Sequence, residues 1–204
     1  MKKSQHILFV LFLSLALVSC KTDTKKSSKK EVVKTNVVSE KKVQKTPKVL
    51  TEKEKKVISS LFTKIMTAKE TKSFASAMVT SELTGILSNQ EGPFTVFAPA
   101  NNAFTSLVKE KKKDLYNAKS RDSLIKLVKT HIVKGDFKLT DLQNGIKENK
   151  GKFQLKTLYG STLVVSEKGD KIIVEDENGN KAVIIESDIV GSNGVLYIVD
   201  SLFY

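Results

Sequence analysis

The apolar residues of this chain follow a helical period first and a period of two afterwards. Val57, Ile58, Leu61, Phe62, Ile65 and Met66 recur at one-and-four spacing, which places them on one face of a helix. Thr51 with Glu54 supplies a capping box ahead of that face. The stretch SFASAMVTSELTGIL repeats the pattern, with Phe74, Ala77, Met78, Leu83 and Leu87 turned inward. A further helical face gathers Leu124, Leu127, Val128 and His131 before Gly135 lets the chain turn, and KLTDLQNG reads as a short turn or helix. From Phe153 the period shortens to two. FQLKTL, STLVVSE, KIIVEDE, KAVIIES and GVLYIVDSLF read as strands. Tyr-Gly, Lys-Gly-Asp, Asn-Gly-Asn and Ser-Asn-Gly separate them, residue types that hairpins and turns require. Helices first and a meander of strands last predict an α+β fold. The stretch from Thr51 to Tyr204 is long enough for one domain with its own core, and it contains no internal repeat.

One segment between the helices has a sharper shape. GPFTVFAPANNAF, Gly92 to Phe104, runs from turn punctuation at Gly92-Pro93 into the strand-like Phe94-Thr95-Val96-Phe97. Pro99 cannot donate to a ladder and ends the strand. Asn101 or Asn102 can cap a helix that carries Ala103, Phe104, Leu107 and Val108. The segment has no Cys, His, Asp or Glu, so it specifies a strand-to-helix corner rather than chemistry.

The N-terminal residues belong to a different class. Lys2 and Lys3 precede an apolar run, Ile7 to Val18, broken only by Ser14. That run is shorter than the roughly 20 residues a membrane-spanning helix needs, and it reads as a secretory signal over 1–19. Leu17-Val18-Ser19-Cys20 looks like the lipobox of bacterial lipoproteins, which marks Cys20 as a lipidation site. Cys20 is the single Cys of the chain, so none remains for a disulfide or a zinc set. Residues 20–50 then read as a lipidated Cys followed by a Lys-rich disordered tether, too polar to offset its own ordering entropy. A flexible coil of that length reaches roughly 30 Å root-mean-square. Residues 51–204 form the folded domain.

Charge changes the picture once it is divided. The net charge is +13, but residues 21–56 hold +8 of it, and residues 57–204 carry 20 basic against 17 acidic groups. The basic character sits in the tether. Nucleic acid is therefore not the expected partner of the domain, whereas a basic arm beside a lipidated Cys suits an anionic membrane surface or serves as a solvated spacer.

Two segments in register make a family resemblance specific. FTVFAPANNAF, Phe94 to Phe104, resembles the first marker of the fasciclin (FAS1) family, and SNGVLYIVDSLF, Ser192 to Phe203, resembles the second. THIVKG between them is similar to the family's Tyr-His followed by Val-Val-x-Gly. The resemblance covers about residues 57–204 and implies a single FAS1-like domain, N-terminal helices packed on a mainly antiparallel sheet or wedge. Ala100, Thr130 and Tyr197 depart from the family's usual Thr, Tyr and His. In some animal members the Tyr-His region and a Glu-Pro-Asp-Ile segment are linked to integrin adhesion. Here the latter reads Glu186-Ser187-Asp188-Ile189. The resemblance thus marks His131, Asp188 and Ile189 as candidate adhesion or ligand-binding residues. Read from the residues alone, His131 is a histidine bonded inside the fold, and Asp188 is a turn-capping residue beside a core Ile.

The sequence offers little else in the way of reactive groups. After signal removal His131 is the one His left, too few ligands for a zinc site. No G-x-S-x-G elbow accompanies it. DENGNK, Asp176 to Lys181, begins like a calcium loop, but Lys181 stands where that loop needs Gly and Ser187 where it needs its bidentate Glu, so it reads as a hairpin turn. No cofactor and no metal are expected. The reading is a non-enzymatic adhesion or surface-binding module of the bacterial cell envelope, held to a membrane by lipid on Cys20, surface-exposed or periplasmic, with a surface protein or polysaccharide as partner. The alternative is an envelope carrier or receptor for a small or polymeric ligand, which requires a sizeable pocket.

Overall fold

The computed structural model describes residues 50–88, 90, 92–106 and 121–204. The signal segment, Cys20 and the Lys-rich stretch up to residue 49 lie outside the described residues, as do Leu107 and Val108. The described residues belong to one compact unit, Pro47–Tyr204. Its helices are α1 (Glu52–Ile58), α2 (Leu61–Thr67), a 3-10 turn (Lys69–Thr71), α3 (Lys72–Thr80), α4 (Thr84–Ser88), α5 (101–106), α6 (Arg121–Thr130) and α7 (Leu139–Glu148). Its strands are β1 (Phe94–Pro99), β2 (Ile132–Lys134), β3 (Lys152–Lys156), β4 (Thr162–Lys168), β5 (Lys171–Glu175), β6 (Lys181–Gly191) and β7 (Gly194–Val199).

The seven strands form a mixed sheet in the order β2-β1-β7-β6-β5-β4-β3. β3 to β7 are the antiparallel meander that the period of two predicts. β1 joins β7 in parallel, Phe94 opposite Gly194 through Pro99 opposite Val199. The sheet curls until its two edges touch. Val133 of β2 bridges Thr157 just past β3, and the Leu158 N–H donates to the Ile132 carbonyl at 2.7 Å. The result is the α+β wedge expected of the sequence.

Two apolar cores follow from the curl. Val96, Ala98 and Leu196 face outward from the central strands and meet Leu61, Ile65, Phe74, Met78, Leu124 and Val128 of the helices. Phe97, Val195, Tyr197 and Val199 face the interior, where Leu155, Leu163, Val165 and Val174 join them and Leu142 and Ile146 of α7 close the end. β1 is buried at every position because both of its faces are covered, as a near-continuous apolar run requires.

The first apolar face departs from the single helix expected of it. The capping box is present, with the Glu54 N–H donating to Thr51 Oγ1 at 3.2 Å and the Thr51 N–H to Glu54 Oε2 at 2.8 Å. Ser59 then ends α1, and the Ser60 hydroxyl caps α2 by accepting from the Thr63 N–H at 3.3 Å. The break turns the chain, so Val57, Ile58 and Met66 are exposed while Leu61 and Ile65 are fully buried. Similarly, the helix ending THIVKG stops at Thr130, and Ile132 to Lys134 become the edge strand β2.

The polar residues of the two marker segments act as internal caps. Asn101 does not cap its own helix. Its Oδ1 accepts from the Ser73 N–H at 2.9 Å, and its Nδ2 donates to the Lys69 carbonyl at 2.7 Å, which ties the start of α3 to the corner after β1. Asn193 accepts from the Leu61 N–H at 2.9 Å and donates to the Leu87 carbonyl at 3.0 Å. Its own carbonyl accepts from the Phe94 N–H at 3.0 Å. Gly194 beside it has φ +143°, and a Cβ there would lie 1.9 Å from the Phe94 carbonyl oxygen. Replacing Asn193 with Ala leaves the Leu61 N–H and the Leu87 carbonyl without their partner. Denaturant unfolding of Asn193→Ala is expected to show a loss of about 2–4 kcal/mol, with a Leu61 amide that exchanges faster in proportion.

Candidate functional site

The three residues singled out by the sequence fall in different surroundings. His131 follows α6 and is fully buried. Its Nδ1 lies 2.7 Å from the Leu127 carbonyl, and its Nε2 lies 3.2 Å from the Phe203 N–H. A carbonyl only accepts and an N–H only donates, so Nδ1 carries the proton and the ring is neutral. It stacks on Phe203 at 4.8 Å between ring centres and is tilted against Phe74 at 5.6 Å. Burial pulls its pKa down from 6.5 to about 4, against the smaller opposing pulls of the Leu127 carbonyl and the Asp176 charge.

Asp188 sits in the second half of β6, within the register shift between Glu186 and Ile189 that bulges the strand against β7. Its φ of +55° is a left-handed conformation, which Asp tolerates better than most residues. The bulge aims its carboxylate at α7. Oδ1 accepts from the Leu139 N–H at 3.0 Å, at the first residue of that helix, and lies 3.2 Å from the Tyr197 hydroxyl. The Tyr197 hydroxyl donates to the Phe137 carbonyl at 2.7 Å. Burial first, and then the Asp188 charge, push the phenol pKa well above its ordinary value. Ile189 is half-buried against the helical core. Asp188 and Ile189 are thus neighbours on one strand, while His131 has a separate set of partners and no contact with solvent.

No pair of these groups makes a catalytic arrangement. Both ring nitrogens of His131 are committed to backbone atoms, so neither can take a proton from a hydroxyl. No cluster of His, Cys, Asp and Glu suited to a metal ion occurs among the described residues. Asp176 is a hairpin residue, accepting from the N–H groups of Asn178 and Asn180, each at 2.9 Å, and from the Tyr204 N–H at 3.1 Å.

A cleft lies elsewhere, at the seam where β2 and β3 approach. It encloses about 460 Å³ and is lined by Val133, Lys134, Phe137, Phe153 to Thr157, and Leu158 to Gly160. Phe137 and Phe153 meet edge to face on its wall, 5.8 Å between centres. Tyr159 stands half-exposed, with Lys126 Nζ 5.4 Å from its ring centre. The cleft has no signature in the sequence, because the residues of β2 continue the helical pattern of α6 and no motif joins Lys134 to Lys156.

A curled mixed sheet with a helical layer, assembled through two strand-and-turn markers, defines a FAS1-type domain. The family model described as "Fasciclin domain" matches residues 69–204, and the chain belongs to that family. It is 34% identical over 112 residues to Protein sll1483 of Synechocystis sp., covering 55% of each chain. It is 30% identical over 145 residues to periostin of Homo sapiens, covering 71% of this chain and 16% of periostin. The chain therefore spans about half the length of the first relative and far less of the second. Among solved structures, a FAS1 domain pair from the insect cell adhesion molecule Fasciclin I superposes with a TM-score of 0.63 at 17% identity, over 72% of this chain and 51% of that one. At that identity the likeness shows the fold.

Two outcomes follow for the singled-out residues. Below pH 6.5 an unfolded chain gains a proton on His131 that the folded domain refuses until about pH 4. Stability is therefore fully present above pH 6.5 and falls as pH drops through that window, by about 3 kcal/mol for this group. Denaturant melts across pH 4–7 should show the slope, and His131→Gln should be less stable at pH 7 but lack this part of it. Asp188→Ala should cost about 1–2 kcal/mol through the lost cap and the left-handed backbone, whereas Asp188→Asn, which can still accept from Leu139, should stay within about 0.5 kcal/mol of the wild type.

Proposed function

We propose that this chain is a cell-envelope lipoprotein whose single FAS1 domain is a non-enzymatic adhesion module, anchored by lipid on Cys20 and carried on the Lys-rich tether. The observation that carries the reading is the interior placement of His131. The acid–base group that hydrolytic chemistry would use is buried, neutral and bonded at both nitrogens. The domain's work is then left to its surface. Kinship with a fold found in an insect cell adhesion molecule supports that direction, and adhesion is transferred to this chain by that kinship. Attachment is assigned to the Cys20 lipid on the strength of the lipobox-like Leu17-Val18-Ser19-Cys20.

A second reading, a receptor for a polymeric ligand, is favoured by the seam cleft. Its volume falls in the range of ligand-binding clefts. The two readings converge if the polymer belongs to the surface being bound.

Protease treatment of intact cells, wild type beside Cys20→Ala, tests the proposal. Loss of the domain from wild-type cells, with release of the Cys20→Ala protein from the membrane fraction, is the expected result. A membrane-bound domain that resists protease would favour a periplasmic carrier. Unchanged membrane association of Cys20→Ala would overturn the lipid anchor.

A further inference from the structure

We propose that the seam between β2 and β3 is a groove for an acidic polysaccharide, a chain of sugars bearing carboxylates. The proposal deepens the surface-binding reading and rests on it for its biological setting.

The bridge at Val133 and Thr157 is antiparallel, so the next position along places Lys134 opposite Lys156. Val133 and Thr157 are buried, while both lysines are exposed. Like charges directly opposite on adjoining strands repel each other. Among the described residues neither lysine has a carboxylate partner; ion pairs lie elsewhere, as at Lys55–Glu52, Arg121–Glu82 and Lys181–Glu175. Asp136 and Asp141 act on the Tyr197 hydroxyl and do not line the groove. An anion bound across the seam would relieve the repulsion.

Three further features give that anion a shape. Lys152, Gln154 and Lys156 are alternate residues of β3, so they share its exposed side. At about 3.3 Å per residue the two lysines stand ~13 Å apart with an amide between them. β3 has a full strand partner on one side only, so the groove side is an unextended sheet edge. Tyr159 provides a half-exposed ring at the mouth, with Lys126 Nζ over one face at 5.4 Å from its centre, and the C–H face of a sugar would pack on the part of the ring that Lys126 leaves open. A single exposed ring and widely spaced cations suit a polymer with sparse charge. Single-stranded nucleic acid calls instead for successive stacking rings and a continuous basic track, and residues 57–204 are nearly charge-balanced.

The hairpin between β4 and β5 supplies an internal control. Lys168 lies opposite Lys171 there, another exposed like-charge pair, but away from the groove and flanked in sequence by Glu167 and Asp170.

The test uses the compact unit, residues 47–204, which contains both cores and omits lysines of the tether that would attract any polyanion. An oligosaccharide of about ten sugars with a uronate at every second position, a hyaluronan fragment, is titrated by calorimetry at low and physiological salt. Saturable binding that weakens with salt is expected. Tyr159→Ala, and separately the double change Lys134→Glu with Lys156→Glu, should each weaken it about tenfold. Lys168→Glu with Lys171→Glu should change it less than about threefold. Thermal melts of every variant establish that it is folded. Absence of binding, or equal weakening by the hairpin pair, overturns the groove. Equal or tighter binding of single-stranded DNA through the same residues overturns the choice of a sugar polymer. None of these outcomes bears on the Cys20 anchor or on protease access, which the cell experiment reads separately.

Discussion

The parallel contact between β1 and β7 is the constraint on which the rest of the domain depends. These two strands lie far apart in the chain, and only their pairing places helices on one face and the curled sheet on the other. Each strand supplies residues to both cores. Val96 and Leu196 serve the helical side, and Phe97 and Tyr197 serve the interior, where their rings stack at 5.4 Å. The register is fixed at its first pair, since Gly194 is the residue that lets the Phe94 backbone approach so closely. A slip of either strand by one residue would exchange that strand's two faces and carry Phe97 or Tyr197 out of the interior core to the helical side.

The polar residues of the same segments turn that pair into an assembly point. Asn193 reaches α2 and the end of α4, Asn101 reaches α3, and Asp200 accepts from the Val183 N–H of β6 at 2.8 Å. Thr95, fully buried, donates to the Gly135 carbonyl at 2.8 Å and accepts from the Phe137 N–H at 2.9 Å. Each such bond contributes only about 1 kcal/mol net, while an orphaned buried partner costs about 1–3 kcal/mol. Their larger effect is to exclude other arrangements, because a misplaced helix would leave several of these groups unpaired at once.

Much of this was legible in the sequence. The meander from β3 to β7 could be read because alternation and glycine-bearing turns are local signals, and the α+β class followed from their order. The corner at Pro99 was equally local. What escaped reading was tertiary. By residue type Asn101 or Asn102 can cap the helix that follows, but Asn101 accepts from the Ser73 N–H of α3, a partner 28 residues away that no pattern announces. The break at Ser59–Ser60 hid inside a valid helical period, and Val57 and Ile58 lost their place in the core through it. β2 is three residues long and was absorbed into the preceding helix, so the seam with β3 and the cleft beside it had no signature. Of the site residues, the interior bonding of His131 and the capping by Asp188 follow the plain chemistry of those side chains. Adhesion through Asp188 and Ile189 rests on resemblance.

The seam is also where the fold is least constrained by its own hydrogen bonds. Elsewhere the strands are joined by ladders of several paired residues, but β2 and the residue after β3 share one bridge. The short junction leaves room beside it for the cleft walled by Phe137 and Phe153, in a sheet that otherwise closes on itself. In a domain whose marker residues are spent on internal assembly, the proposed binding draws on positions that assembly does not need. Lys134, Lys156 and Tyr159 meet that condition, being exposed, outside both cores and uncommitted to any cap.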